Sequence, residues 1–418
     1  MALVLTHATV LTVDAEDRVL TDRDIRIDGK TITAIGPGGM LAGPGDTRLD
    51  CAQGLVMPGF VNTHTHAATA LFRGLADDKP REFWPDGGYS VPGQDRFTLV
   101  DYRRSMAAAC AEFLGNGVTT IADRVAKMDL LAPVVAASGM RAVVGSTLAD
   151  SQGPADWGST ERVIERYGVD PAASRVFAGI APHALDTCSD ALLAECARRA
   201  GKLGAKVFLH VAQSRAEVTS LRGRGHSGAL ACLRCAGLTG PGVVAAHCIY
   251  LDETEIDGFC ADGTAICHCP ASNLKIEART ILLARYLGRT PVGLGTDWTA
   301  SNNSMDMFWE MRLAALVGKM QADDPTALTT RQMLRLATID GARVLGIDHL
   351  VGSIETGKRA DLVVLDRTAL EMTPLNDPIS NVVYSASPRS VRDVLVDGEI
   401  LVNGHRLVHD HEGWVGSD

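Results

Sequence analysis

Short apolar runs dominate both ends of the chain and alternate with helical patterns through its middle. Between residues 1 and 57 the runs Leu3-Val4-Leu5, Ile25-Arg26-Ile27 and Thr31-Ile32-Thr33-Ala34-Ile35 are broken by Asp28-Gly29 and Gly36-Pro37-Gly38-Gly39, which is hairpin chemistry. The far end repeats this, with Ala360-Asp361-Leu362-Val363-Val364-Leu365 followed by Val391-Arg392-Asp393-Val394-Leu395-Val396 and a turn at Asp397-Gly398. In between, short apolar runs alternate with longer helical stretches, the signature of βα units on a parallel sheet. Eight strand candidates lie near 56–62, 118–123, 140–146, 175–182, 206–211, 242–247, 264–268 and 291–296. The pattern predicts an α/β chain: a (β/α)8 TIM barrel over residues 58–353, with a small β-sandwich domain composed of residues 1–57 and 354–418. After the last barrel strand a helix is expected from Ser304 to about Met320, with Met305, Phe308, Met311, Leu313 and Leu316 as a core-facing stripe.

The polar residues that end these apolar runs carry the chemistry. His64-Thr65-His66 closes the run that begins at Gly54, and residues i and i+2 of a strand point the same way, so the two imidazoles form half of a metal site. His210 follows Val207-Phe208-Leu209, His247 follows Val243-Val244-Ala245-Ala246, and Asp297 follows Val292-Gly293-Leu294-Gly295-Thr296. Each reads as a parallel strand delivering one polar side chain at its C-terminal end. Three neutral nitrogens and a carboxylate, from His64, His66, His210 and Asp297, suit one borderline divalent ion, zinc or iron, with a position open for water.

Composition narrows the function. A chain of 418 residues with 46% hydrophobic content can bury a barrel of roughly 250 residues and leave about 100 for a second unit. The net charge of −10, with pI near 5.6 and no basic stripe, argues against a nucleic-acid partner. No apolar run approaches the ~18 residues of a membrane span. The first residues carry no basic segment or cleavage site, and ten scattered cysteines read as reduced thiols, so a cytoplasmic location is expected. The lone Cys232-Leu233-Arg234-Cys235 reads as two helix cysteines rather than half a zinc site. The expected partners are a small-molecule substrate and further copies of the chain, as a dimer or tetramer.

Several motifs together resemble the amidohydrolase superfamily, in its heterocycle deaminase and chlorohydrolase branch. They are Pro58-Gly59-Phe60-Val61-Asn62-Thr63-His64-Thr65-His66, Gly117-Val118-Thr119-Thr120, Ala181-Pro182-His183, Ala246-His247-Cys248, Pro270-Ala271-Ser272-Asn273-Leu274-Lys275, and Gly295-Thr296-Asp297 with Ala300-Ser301-Asn302-Asn303. The resemblance implies a hydrolase that uses metal-bound hydroxide to cleave a C–N bond of a planar nitrogen heterocycle. It makes His247 a polarising or proton-transferring group, Asp297 both ligand and proton acceptor, and His183 a substrate contact. Ala181-Pro182-His183 stands where two-metal members carry a bridging lysine, which implies a single ion.

The sequence departs from that pattern twice. The deaminases read His-x-x-Glu on the fifth strand, whereas this chain reads His210-Val211-Ala212-Gln213. The Gln213 amide can hold a ring nitrogen or carbonyl but cannot exchange a proton near pH 7. Three readings stay open: a reaction run by His247 and Asp297, a glutamine introduced to trap substrate, or a decayed enzyme. Glu217 is expected to point away on a helix. Hydrolysis of an exocyclic or peptidyl amide on an aromatic substrate is the alternative chemistry. The second departure is Glu82-Phe83-Trp84-Pro85, where nucleoside deaminases read Glu-Trp, so Phe83 removes a ribose acceptor and Trp84, with Tyr89, is expected to wall a planar substrate. Cys267-His268-Cys269 is expected to be packing around a structural histidine.

Overall fold

The structure, a computed structural model, describes residues 1–79 and 91–415. Strands β1 (Leu3–Leu11), β2 (Val19–Asp28), β3 (Thr31–Pro37), β4 (Thr47–Asp50) and β5 (Leu55–Pro58) precede β6 (Phe60–Thr65) and α1 (Leu99–Gly115). Strands and helices then alternate: β7 (Val118–Val125) with α2 (Met128–Ala137), β8 (Arg141–Leu148) with α3 (Trp157–Tyr167), then β9 (Val176–Ala178) and β10 (Ala181–Pro182) with α4 (Asp190–Leu203). The series continues with β11 (Val207–Val211), α5 (Arg215–Gly223) and α6 (Ala229–Ala236), then β12 (Val243–His247) and α7 (Glu253–Asp262). It ends with β13 (Ala265–His268), α8 (Pro270–Glu277), β14 (Val292–Leu294), α9 (Thr299–Asn302) and α10 (Met307–Ala322). Strands β15 (Leu362–Leu365), β16 (Val391–Val396), β17 (Glu399–Asn403) and β18 (Arg406–Leu407) come last.

Both ends of the chain build one nine-stranded sheet, ordered β18-β17-β16-β15-β5-β1-β2-β3 with β4 beside β1. The two ends join where β5 runs antiparallel to β15, Leu55 opposite Leu365 and Pro58 opposite Leu362. At Gly59 the chain leaves this sheet for the parallel strands. A Cβ there would lie 2.2 Å from the Thr119 side chain, so only glycine makes the crossing.

The remaining strands form two all-parallel sheets, β6 to β10 and β11 to β14. The sheets meet at both edges: Ile180 pairs with Val207 and Ala184 with His210 on one side, Thr65 with Asp297 on the other. Val61, Ala122, Val143, Phe177, Phe208 and Val244, one each from β6, β7, β8, β9, β11 and β12, pack into a single cluster. Helices cover the other face, so all five residues of β11 are buried. Burial on both faces is why these strands read as continuous apolar runs.

Three expectations need correction. The first strand candidate is split at Gly59 between two sheets. The fourth, 175–182, is interrupted between β9 and β10, where a Cβ on Gly179 would meet the Phe208 ring at 2.5 Å. The helix expected from Ser304 starts at Met307, capped by the Asp306 carboxylate, which accepts the Phe308 N–H at 2.8 Å. Met305, Phe308 and Met311 are buried as expected, but Leu313 is only partly covered and Leu316 is 52% exposed. A spacing of three slips roughly 60° around the helix at each step, so the buried stripe continues instead through Ala314, Ala315 and Gly318.

A buried ion cluster joins the terminal sheet to the parallel strands. Arg141, the first residue of β8, donates to Asp361 from Nε at 2.8 Å and Nη2 at 3.1 Å, and to Asp397 in the β16–β17 turn. Asp361 also accepts the Asp397 N–H at 2.8 Å. Burial raises the Asp397 carboxyl, but the Arg141 charge outweighs it and holds the group below the usual range. All ten cysteines are unpaired thiols and only Cys235 is exposed. Among the described residues no helix is long and apolar enough to cross a membrane.

Candidate metal centre

The strand ends bring the expected side chains together. His64 and His66 leave the end of β6, His210 lies in β11, His247 closes β12, and Asp297 follows β14. His64 Nε2 lies 3.2 Å from His210 Nε2 and 3.3 Å from Asp297 Oδ1, and His66 Nε2 lies 3.3 Å from the same oxygen. His64, His210, His247 and Asp297 place ligand atoms within 4.8 Å of one another. The backbone is left-handed at three of these strand ends: Ala212, His247 and Asp297 have φ of 47°, 74° and 59°, in a region that non-glycine residues rarely enter.

Outer hydrogen bonds fix the imidazoles. His66 Nδ1 donates to the Arg124 carbonyl at 2.7 Å, and His247 Nδ1 to Asn273 Oδ1 at 2.8 Å, so in both rings Nε2 carries the inward lone pair. His247 Nε2 is buried with no hydrogen-bond partner among the described residues and lies 4.0 Å from Asp297 Oδ2. Asp297 divides its oxygens. Oδ1 faces His64 and His66, while Oδ2 accepts from Ser272 Oγ at 2.5 Å and Ser301 Oγ at 3.3 Å. Burial pushes His64 down to about 3 despite Asp297, and pushes His210 and His183 well below their ordinary value. Burial would raise Asp297, but the facing His64 and His66 imidazoles hold it well below the carboxylate range. His64 and His210 are therefore neutral imidazoles beside an ionised carboxylate.

That set fits a divalent ion. Tetrahedral zinc, bonded at about 2.0–2.1 Å, places neighbouring donors about 3.3–3.4 Å apart, close to the 3.2 and 3.3 Å separations here. Lone pairs facing one another across those distances, with His247 Nε2 buried and unsatisfied, are costly unless a cation lies between them.

A cavity of about 460 Å³ opens from this centre and is lined by His66, His183, His210, Gln213 and Asp297. Gln213 and His183 thus reach the cavity as expected, whereas Phe83, Trp84 and Tyr89 lie outside the described residues. Glu217 does not enter it. The residue is buried at the start of α5, and its carboxylate accepts the backbone N–H groups of Ala212 at 2.9 Å and Gln213 at 2.8 Å, which holds the turn presenting Gln213. His268 is buried behind the centre near Thr280, and the Sγ atoms of Cys267 and Cys269 lie 3.7 Å apart in the core.

Sequence reasoning missed Ser272 and Ser301 on Asp297, Asn273 on His247, and the wall formed by Arg124, Phe72, Phe97 and Trp298. Ser272 and Asn273 lie in the run Pro270 to Lys275 and Ser301 in the run Ala300 to Asn303, so the signal was present without a contact to give it meaning.

These features are those of a metal-dependent hydrolase, and the chain belongs to the amidohydrolase family, whose model matches residues 55–401. It is 36% identical to a 5'-deoxyadenosine deaminase of Methanosarcina mazei, over 97% of this chain and 94% of that one. It is also 36% identical to a 5-methylthioadenosine/S-adenosylhomocysteine deaminase of Syntrophobacter fumaroxidans, with the same coverage of 97% and 94%. Among solved structures, an adenosine deaminase from Xanthomonas campestris with bound zinc superposes with a TM-score of 0.90 at 31% identity, covering 99% of this chain and 96% of that one.

Proposed function

We propose that the chain is a hydrolase with one divalent ion, zinc or iron, held by His64, His66, His210 and Asp297, that replaces an amino group on a planar nitrogen heterocycle by oxygen. The observation that carries this is the convergence of imidazole Nε2 atoms and Asp297 Oδ1 at 3.2–3.3 Å on the ends of parallel strands. Edge contacts between the two parallel sheets support reading them as one (β/α)8 barrel, residues 58–353, beside a β-sandwich made from residues 1–57 and 354–418.

When bound, the ion supplies Lewis acidity that makes water a nucleophile near neutral pH. Asp297 Oδ2, held by Ser272, accepts the water's proton and passes it to the leaving nitrogen, so ammonia departs as the ring carbon gains oxygen. His247 Nε2, fixed as an acceptor by Asn273, orients the attacking water. The Gln213 amide and His183 hold the ring. Nucleosides are poor candidates: Phe83 stands in the place of a ribose-holding glutamate, and among the described residues Asp297 is the only acid lining the cavity. Gln213 favours a second reading, hydrolysis of an exocyclic amide, because an amine leaving from sp² carbonyl carbon needs no acid on a ring nitrogen.

Elemental analysis and an ammonia-release screen over heterocycles and amides test this together. One metal per chain and ammonia from a ring substrate are expected; two metals, or none after metal-supplemented expression, would overturn it. Gln213→Glu decides the mechanism. A carboxylate at this position, beside the attacking water, should lower activity if His247 and Asp297 run the reaction, and a rise of about 10²–10⁴-fold would instead mark Gln213 as a lost glutamate.

A further inference from the structure

We propose that Glu310 is a positioning residue for Asp297: from behind the metal centre it ties down both segments that hold the Asp297 carboxylate. This rests on the reading of Asp297 as ligand and proton acceptor, and adds what keeps that group aimed. Glu310 lies in the first turn of α10, fully buried, with no ion-pair partner among the described residues. Burying a carboxyl away from a cation costs stability, and what it supplies here is an acceptor to each of two neighbouring elements. Oε2 accepts the Ala271 N–H at 3.2 Å, and Oε1 accepts from Asn302 Nδ2 at 2.7 Å. An amide in the same place would turn an N–H toward one of those two donors.

Each bond leads to Asp297 by its own route. Ala271 is the second residue of α8, whose N-cap, Cys269, offers no side-chain acceptor to the first turn. Glu310 thus supplies from α10 the cap that α8 lacks. Next along α8 is Ser272, whose Oγ donates to Asp297 Oδ2 at 2.5 Å. On the other route, Asn302 Nδ2 also donates to the Thr296 carbonyl at 2.7 Å. That carbonyl belongs to the peptide bond leading into Asp297, whose N–H donates to the His64 carbonyl at 3.0 Å. The residue before Asn302 is Ser301, the second hydroxyl on Oδ2, and its Oγ lies 2.6 Å from that of Ser272. The left-handed φ of 59° at Asp297 persists only where the surroundings over-determine it. Its side-chain and main-chain restraints both run back to one buried carboxyl, and the aim they give Oδ2 decides how well it meets the proton of the attacking water.

The zinc-loaded, full-length protein tests this with two readouts per folded molecule: kcat and KM on a substrate from the ammonia-release screen, and the rate at which a chelator strips zinc. The second needs no turnover. Glu310→Gln should lower kcat about tenfold with little change in KM, and speed zinc loss by about the same factor. Should that variant fold poorly, Glu310→Asp, which draws the carboxyl back by one methylene, takes its place. Arg141→Met, destabilised at a distant cluster, should leave both readouts at the wild-type value. Combining Glu310→Gln with Ser272→Ala should cost clearly less than the product of the two single losses, because both act on the same Asp297 oxygen. Wild-type kcat and zinc loss in the Glu310 variants overturn the proposal. So do equal effects in Arg141→Met, which would mark instability alone, or losses that multiply in full in the double variant. Absence of ammonia from the wild type would instead sink the hydrolase reading, and zinc loss then decides this proposal by itself.

Discussion

Two buried polar clusters sit in this molecule, and they are built on opposite principles. Around Arg141, Asp361 and Asp397 the protein supplies every counterpart: the Arg141 guanidinium meets both carboxylates, Arg175 Nε donates to Asp397 at 3.2 Å, and the backbone N–H of Asp397 is taken up by Asp361. At the strand ends, His64, His66, His210 and His247 aim lone pairs at one point around a single carboxylate, and His247 Nε2 is left unsatisfied. Burial is nearly complete in both. What differs is whether the protein supplies its own counterparts, and that separates a cluster that holds the fold from one that waits for a ligand.

The comparison breaks most visibly at Asp297. Asp297→Ala should lower activity by about 10⁴-fold or more and strip the metal, while the folded fraction stays near wild type. Retained activity with full metal content would mean that the carboxylate is not part of the site. Arg141→Met should do the reverse. It leaves the buried Asp361 without its cation and Asp397 with Arg175 in place of two guanidinium partners, and should cost roughly 3–5 kcal/mol of stability, measured by denaturant unfolding, with the turnover per folded molecule unchanged.

Metal removal sharpens the contrast with a smaller effect. Chelation should lower the melting temperature reversibly, since an ion at 100 times its dissociation constant contributes about 2.7 kcal/mol. The same treatment of Asp297→Ala should change nothing. The smallest effect concerns Glu310, buried behind the centre, where it accepts the Ala271 N–H at 3.2 Å and an Asn302 amide N–H at 2.7 Å. Burial pushes its carboxyl up to about 8 from 4.5. The folded state therefore holds a proton that the unfolded chain has lost, and this contribution to stability fades as pH rises through that interval. Thermal unfolding should show stability falling from pH 5 to 8, and Glu310→Gln should flatten the slope. An identical slope in both proteins would place the titration elsewhere.

The centre was legible in the sequence because each of its groups ends its own apolar run, so one dimension was enough to find His64, His210, His247 and Asp297. Groups defined by two elements at once were not. Arg124 on β7 donates to the Pro182 and His183 carbonyls at the end of β10, and Ser272 and Ser301 meet on Asp297 from different helices. Glu217 lies on its helix and outside the cavity as expected, but the turn at Ala212 that brings backbone N–H groups to its carboxylate was not legible. The α10 stripe failed for another reason. A spacing of three resembles the helical period over one turn and leaves the face by the third, which puts Leu316 in solvent.

The left-handed backbone at Ala212, His247 and Asp297 bears on how this enzyme can be redesigned. Ala212 is buried in the core as well as left-handed, so a saturation library should enrich glycine and reject larger and β-branched residues. At His247 and Asp297 the residue that would relax the backbone, glycine, would delete the reactive group. Selection for a comfortable chain and selection for chemistry therefore oppose each other at those two positions. New substrates are better sought by varying the cavity walls than by moving the strand ends.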